Sequence, residues 1–250
     1  MKRPLIGISQ RIEVETDRFY LSRHYSEAVE AAGGAPVHIP LIPHADFIRE
    51  VVRHLDGVLL PGSDSDVDPL RYRHEPHPQL GNVHQIKDET DLLILEEVES
   101  RALPLFAICF GVQILNVSRG GTLIQDIGAQ WPNAIKHEQG VPRDRHSHRV
   151  RIVSDSIIGS LAESDHAPVN SHHHQALETV GRELIATAWA PDGLIEAVED
   201  SRRDRFLIGV QWHPELGWPR DPFARALFDR FVSEARQFAD EKHSEQAVLA

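Results

Sequence analysis

Apolar residues fall along the chain in two spacings, short continuous runs and i, i+3, i+4 stripes, and these alternate through the first half. Leu5-Ile6-Gly7-Ile8 reads as a buried strand. Tyr25, Ala28, Val29 and Ala32 form a helical stripe that Gly33-Gly34 stops. Pro36 to Leu41 is extended, Phe47, Ile48, Val51, Val52 and Leu55 mark a second helix, and Gly57-Val58-Leu59-Leu60 is a third strand closing at Pro61-Gly62. Residues 64 to 88 contain Pro69, Pro76, Pro78 and Gly81 among polar residues, which predicts a long irregular loop of the kind that often carries substrate contacts. Asp91 to Ala102 is helical, Leu105 to Ile108 is a short strand, and Val112 to Val117 begins a helix ending near Gly120-Gly121. This alternation predicts a parallel sheet with helices on both faces.

The second half has a different rhythm. Strands are predicted at Arg149 to Val153, Leu184 to Ala188, Leu194 to Val198 and Phe206 to Trp212, with turn signals such as Pro191-Asp192-Gly193 between them. Their close spacing predicts some antiparallel pairing. Phe223, Leu227, Phe228, Phe231 and Val232 form a last amphipathic helix, and Ala239 to Ala250 reads as a polar, frayed end. No repeat or low-complexity linker divides the chain. The expectation is one α/β domain over residues 1–240, mostly parallel, flanked by helices, with extra antiparallel strands in the C-terminal half and a polar tail at 241–250.

Composition narrows the function. The chain has 250 residues and 41% hydrophobic content, enough for a large core without staples. Its 26 Lys and Arg against 38 Asp and Glu give a formal charge of −12, which repels phosphate backbones and anionic lipid surfaces, so neither nucleic acid nor membrane is an expected partner. No apolar run reaches the roughly 18 residues needed to span a bilayer, and the N-terminus lacks a signal-peptide profile, so a cytoplasmic location is expected. One cysteine, Cys109, excludes an intrachain disulfide framework and a multi-cysteine metal site. Sixteen histidines are the compositional oddity.

The sharpest local feature is Pro104-Leu-Phe-Ala-Ile-Cys109-Phe-Gly111-Val-Gln113, an apolar strand running into a helix with the only cysteine at the junction. Ala107 and Gly111 stand where the G-x-S-x-G nucleophile elbow has its two glycines, because the sharp turn leaves little room two residues either side. A lone cysteine is more often a small buried hydrophobe. The elbow singles this one out, and the helix N-terminus behind it favours thiolate over thiol.

A thiolate nucleophile needs a base, and the base an orienting group. Gln211-Trp212-His213-Pro214-Glu215 supplies both at the end of a predicted strand. Pro214 disfavours helical geometry at His213, and in an extended segment residues i and i+2 point the same way, placing Glu215 beside the imidazole. For a developing oxyanion, the Phe110 backbone N–H is one candidate donor, and the strand-ending turn Leu60-Pro61-Gly62-Ser63 offers Gly62 and Ser63 as candidates for a second. The run Ser171-His172-His173-His174-Gln175 invites a metal reading, but adjacent histidines diverge and lack the i, i+4 spacing that focuses two imidazoles on one ion. Asp64, Asp66 and Asp68 begin like a calcium loop, yet Pro69 and the missing glycine and terminal glutamate argue for a solvated acidic loop instead. No metal site and no cofactor are expected.

Six segments occur in one order: Leu59-Leu60-Pro61-Gly62-Ser63 with Asp66-Val67-Asp68-Pro69; Ala107-Ile-Cys109-Phe-Gly111-Val-Gln113-Ile-Leu-Asn116-Val; Gly120-Gly121-Thr122-Leu123-Ile124-Gln125-Asp126; Val169-Asn170-Ser171-His172-His173-His174-Gln175; Asp192-Gly193-Leu-Ile-Glu196-Ala197; and Gly209-Val210-Gln211-Trp212-His213-Pro214-Glu215. Together they resemble the class I glutamine amidotransferase-like superfamily, and within it the γ-glutamyl-γ-aminobutyrate hydrolase family. The resemblance covers most of the chain and implies flavodoxin-like layering and a Cys-His-Glu triad of Cys109, His213 and Glu215. It also places Gln113 in the glutamyl pocket. Many members carry Arg directly after the cysteine; Phe110 keeps the backbone donor but removes a charge near the pocket. A related branch has His there as its base, an arrangement that Phe110 excludes.

The expected reaction is hydrolysis of a small-molecule γ-glutamyl amide to glutamate and free amine through a glutamyl thioester, in polyamine or γ-aminobutyrate catabolism. Two alternatives stand beside it: a glutaminase subunit passing ammonia to a separate synthase chain, and a non-catalytic γ-glutamyl-binding protein. A homodimer is compatible with each.

Overall fold

The computed structural model describes the backbone of residues 2–13 and 15–249, and the side chains of these except 243 and 245–249. Its first strand, β1 (Leu5–Ser9), leads into a small hairpin, β2 (Arg11–Glu13) with β3 (Arg18–Tyr20). Helix α1 (Arg23–Ala31), β4 (Ala35–Ile39), α2 (Ala45–Val52) and β5 (Gly57–Leu60) follow in the predicted order. A 3₁₀ turn at Pro69–Tyr72 precedes α3 (Gln85–Arg101), β6 (Leu105–Ile108), α4 (Phe110–Ser118), β7 (Thr122–Ile124) and the short α5 (Ile127–Gln130). The later elements are β8 (His148–Ile152), α6 (Ile157–Leu161), β9 (His166–Val169), β10 (Ala176–Thr179), β11 (Leu184–Trp189), β12 (Ile195–Asp200), β13 (Leu207–Val210), α7 (Pro214–Gly217) and α8 (Pro222–Leu249).

One sheet carries eleven strands, in the order β4-β1-β5-β6-β13-β12-β11-β8-β9 with β10 and β7 attached beside β12. Pairing is parallel from β4 to β13 and antiparallel from β13 onward, as the two rhythms of the sequence predict. In the parallel half, alternate residues serve opposite faces. Leu59, Phe106 and Ile108 pack with Tyr25, Val29, Leu227, Phe228 and Phe231 of α1 and α8. Val58, Leu60, Leu105 and Ala107 pack with Ile48, Val52, Ile94 and Ile114 of α2, α3 and α4. Two apolar layers flank the sheet, and residues buried on both faces read as unbroken hydrophobic runs. Among the described residues no helix is long and apolar enough to cross a membrane.

Three readings change. The 64–88 segment is less irregular than its prolines predict: Asp68 caps the 3₁₀ turn by accepting from Leu70 N, and α3 starts at Gln85, six residues before the predicted start at Asp91. Asp66 is buried rather than solvated, accepting from Gly81 N and pairing with His174 at 2.7 Å. Helix α8 continues through most of the segment read as frayed, although the side chains of 243 and 245–250 lie outside the described residues.

Candidate active site

The C-terminal ends of β5, β6 and β13 lie side by side, with Leu60 opposite Ala107 and Ala107 opposite Gly209. In an open α/β sheet this edge is where ligands bind. Cys109 follows β6 directly. Its N–H still bonds Val210 O at 2.8 Å, while its own carbonyl already accepts from Val112 and Gln113 at the start of α4. Serving both elements forces φ to 52° with ψ −109°, a left-handed conformation rarely taken by a β-substituted residue. The side-chain restriction read from the sequence has a visible cause: a Cβ on Gly111 would run into the carbonyl of Leu60. Phe110 is the first residue of α4, so its N–H has no intrahelical acceptor.

His213 lies 4% exposed beyond the end of β13. Its Nδ1 bonds Glu215 Oε1 at 2.7 Å, and Glu215 is buried as well. The pairing has a different local origin from the extended segment expected. The strand ends at Val210, His213 is the N-cap of α7 with φ −114° and ψ 79°, and Pro214 takes the first helical position, where its fixed φ is already suitable. Glu215 in the first turn is then directed back at the cap. Asn170 grips the same backbone from the far side, donating to His213 O at 2.7 Å and accepting from His213 N at 2.8 Å. Burial opposes protonation of His213, but the charges of Glu215 and Cys109 outweigh it and push its pKa up to about 10. Burial would likewise raise Glu215, yet His213 and the nearby Tyr25 hydroxyl hold its carboxyl below the usual range. Both shifts favour a charged His213 imidazolium paired with the Glu215 carboxylate.

Residues 4–215 match the Peptidase C26 family. The chain belongs to this class I glutamine amidotransferase-like family. Protein NtpR of Enterococcus hirae is 35% identical over 239 residues, covering 92% of this chain and 99% of that protein. The γ-glutamyl-γ-aminobutyrate hydrolase PuuD of Escherichia coli K12 is 31% identical over 255 residues, covering 97% of each. A candidate GMP synthase component from Thermoplasma acidophilum superimposes with a TM-score of 0.68 at 12% identity, covering 97% of this chain and 99% of the other, which establishes the shared fold.

In this Peptidase C26 chain Gly62 and Ser63 have unequal parts. Gly62 N donates to Tyr25 Oη at 3.0 Å, whereas Ser63 N–H has no hydrogen-bond partner among the described residues. Gly62 is required for closeness: a Cβ there would sit 2.8 Å from His213 Cε1 and 3.1 Å from Tyr25 Oη. Gln113 is buried, with its amide committed to Gln175 O at 3.3 Å and Gln211 Oε1 at 3.2 Å. The Phe110 ring turns away into the layer under α2, α3 and α4. The cation beside that ring is Lys87 of α3, with Nζ 5.4 Å from the ring centroid.

Several residues around the site escape a reading of the sequence. Tyr25 looks like one more core position of the α1 stripe. Its hydroxyl nevertheless accepts from both Gly62 N and Arg11, and burial foremost, with the Glu215 charge, raises its pKa well above that of a free phenol. Arg11 lies on the short β2, which has no apolar signature, and its guanidinium reaches Tyr25 at 3.2 Å and Asp64 at 3.3 Å. Lys87 and Asp91 are fully buried partners at 2.6 Å, and Lys87 also donates to Ser9 of β1. Their i, i+4 spacing was the only available cue, and exposed helix pairs share it.

The three histidines diverge as their adjacency predicts. His172 stands edge-on to His213 with ring centroids 5.8 Å apart, His173 turns toward Glu196, and His174 bonds Asp66.

Proposed function

We propose that this Peptidase C26 chain hydrolyses a γ-glutamyl amide with Cys109 as nucleophile, His213 as acid and base, and Glu215 as the group that orients and charges His213. The observation that carries this reading is the strained Cys109 elbow beside the buried His213–Glu215 pair at one sheet edge. The likeness to PuuD over nearly the whole chain supports the substrate class.

In the first half-reaction, the Cys109 thiolate adds to the γ-carbonyl carbon and pushes its electron pair onto oxygen. The Phe110 N–H and, on this reading, the Ser63 N–H receive that oxyanion. The oxyanion collapses, the C–N bond breaks, and the His213 imidazolium gives its proton to the departing amine, leaving a glutamyl thioester on Cys109. In the second, neutral His213 takes a proton from water, hydroxide adds to the thioester carbonyl, and the C–S bond breaks. Glutamate leaves, the sulfur departs as thiolate, and the proton stays on His213, which restores the starting ion pair. The buried Glu215 carboxylate offsets the cost of a charged imidazole in a site with little water.

The test is a panel of γ-glutamyl amines, the γ-aminobutyrate conjugate and glutamine among them, with free glutamate as readout and mass spectrometry of the intact chain in a rapid quench. Release of glutamate and a glutamyl adduct on Cys109 are expected. Turnover of no member, or turnover that survives Cys109→Ala, would overturn the reading.

A further inference from the structure

Beside the candidate active site, three histidines from three segments converge on one carboxylate oxygen of Glu196. His148 Nε2 is 3.1 Å, His137 Nδ1 3.4 Å and His173 Nε2 3.6 Å from Glu196 Oε1. His137 lies in the loop before β8, His148 at the start of β8, His173 in the link from β9 to β10, and Glu196 in β12. The ligand atoms of His137, His148 and Glu196 all lie within 4.8 Å of one another. Exposure is 3% for His137, 4% for His173 and 1% for Glu196, so solvent does not account for the convergence.

Two of the three remaining ring nitrogens are held from behind, while His148 Nδ1 is buried without a hydrogen-bond partner. His137 Nε2 bonds Asp192 Oδ2 at 2.9 Å, and His173 Nδ1 bonds the backbone carbonyl of Gln175 at 2.9 Å. A carbonyl cannot donate, so the second contact keeps the His173 proton on Nδ1 and directs the Nε2 lone pair at Glu196 Oε1. That nitrogen and Glu196 Oε2 both lack a hydrogen-bond partner while fully buried. Two acceptors 3.6 Å apart repel in a medium of low dielectric unless a positive charge lies between them. Imidazoles held by a carboxylate and a backbone carbonyl are the usual surroundings of metal-bound histidine. The spacing agrees for three of these residues: ligands about 2.0–2.1 Å from a tetrahedral zinc ion are about 3.4 Å from each other, and His148 and His137 stand 3.1 and 3.4 Å from Glu196 Oε1, whereas His173 lies outside the group whose ligand atoms are all within 4.8 Å of one another.

We propose that His137, His148 and Glu196 form a zinc site, with Asp192 orienting the His137 imidazole and His173 facing the same carboxylate from beyond the ligand group. Two imidazoles and a carboxylate suit a borderline metal better than calcium or magnesium, which prefer oxygen. Because the three ligands come from separate segments, the ion joins the loop before β8 and the start of β8 to β12 in the antiparallel half of the sheet. The sequence hides the site, because its histidines come from positions 137 and 148, eleven residues apart, rather than from the three in a row.

The test uses the full chain, purified without an affinity tag, and reads metal rather than activity, so it stands apart from the hydrolase proposal. Elemental analysis of chain treated with EDTA and then titrated with zinc chloride against a chromophoric chelator should give one tight zinc per chain. Zinc should raise the melting temperature, EDTA should lower it, and cobalt(II) should give the absorption of a tetrahedral site. His148→Asn and Glu196→Gln should abolish the tight zinc, and Asp192→Asn should weaken it about 10–100-fold. If a variant fails to fold, the stoichiometry, melting shift and cobalt spectrum of the unaltered chain decide. Chain that takes up no stoichiometric zinc and whose melting ignores zinc and EDTA would overturn the proposal, leaving a protonated histidine network. Equal zinc uptake by folded His148→Asn and Glu196→Gln would overturn it too.

Discussion

Cys109, His213 and Glu215 meet because each sits where one element hands over to the next: the cysteine between β6 and α4, the other two at the start of α7. Their contributions to turnover should be ordered. Cys109→Ala should abolish hydrolysis in a folded chain. His213→Ala should cost nearly as much, since no other group supplies the leaving amine's proton, while Glu215→Gln keeps a hydrogen bond to the imidazole and should retain more activity. Because such residues act as a unit, Cys109→Ala/His213→Ala should be little worse than either alone. Steady-state kinetics on purified variants check the order; a near-normal kcat for His213→Ala would remove this histidine from the mechanism. The same pair predicts a pH effect on stability. The pKa of His213 rises from 6.5 to about 10 on folding, so its stabilisation is complete below 6.5 and disappears as pH climbs toward 10. The carboxyl of Glu215 is lowered from 4.5, so its share is present above that value and lost as pH falls. The stability gap between the native chain and Glu215→Gln should therefore be widest between 4.5 and 6.5 and close toward about 10. Denaturation at stepped pH measures it, and a gap independent of pH would contradict the assignment.

At the scale of elements, α4 can approach β5 only because Gly111 has no side chain, since an added Cβ would strike the Leu60 carbonyl, which is backbone and cannot swing aside. Gly111→Val should cost about 1–3 kcal/mol by overpacking and should also displace Cys109, lowering kcat. Chemical denaturation and kinetics on one preparation test both; an unchanged midpoint would show that α4 has slack. Gly62→Ala should separate the two effects. Its Cβ would meet His213 Cε1, Tyr25 Oη and Arg11 rather than a strand, so activity should fall more than stability.

Across the whole molecule, Lys87 of α3 links β1 through Ser9 and the site helix α4 through the Phe110 ring, and Asp91 is the ion-pair partner of its buried charge. Lys87→Met alone strands a buried carboxylate and should cost about 3–5 kcal/mol, whereas Lys87→Met/Asp91→Leu should recover most of that loss. A double-mutant cycle by urea denaturation measures the coupling. Additive single losses would mean that the pair contributes little to holding α3 against the sheet.

Much of this architecture was legible because its cause is local. Apolar runs such as Gly57 to Leu60 and Leu105 to Ile108 are unbroken since both faces of the parallel half are covered, and small residues around Cys109 record the tightness of its turn. The closely spaced strands of the second half likewise announced antiparallel pairing. What stayed hidden depends on distance in the chain. The short β2, β7 and β9 bury too few residues to show a period, and Pro214 marks a break without saying that a helix turn follows. Arg11, Tyr25, Asn170 and Lys87 acquire their roles from partners 14 to 78 residues away. Hydrophobic period and turn chemistry are properties of neighbouring residues, so the sequence by itself determined the α/β layering and the place of the elbow. Which polar groups face one another is settled only when the sheet brings distant strand ends together, because burial then makes each charge find a partner from whatever segment lies beside it.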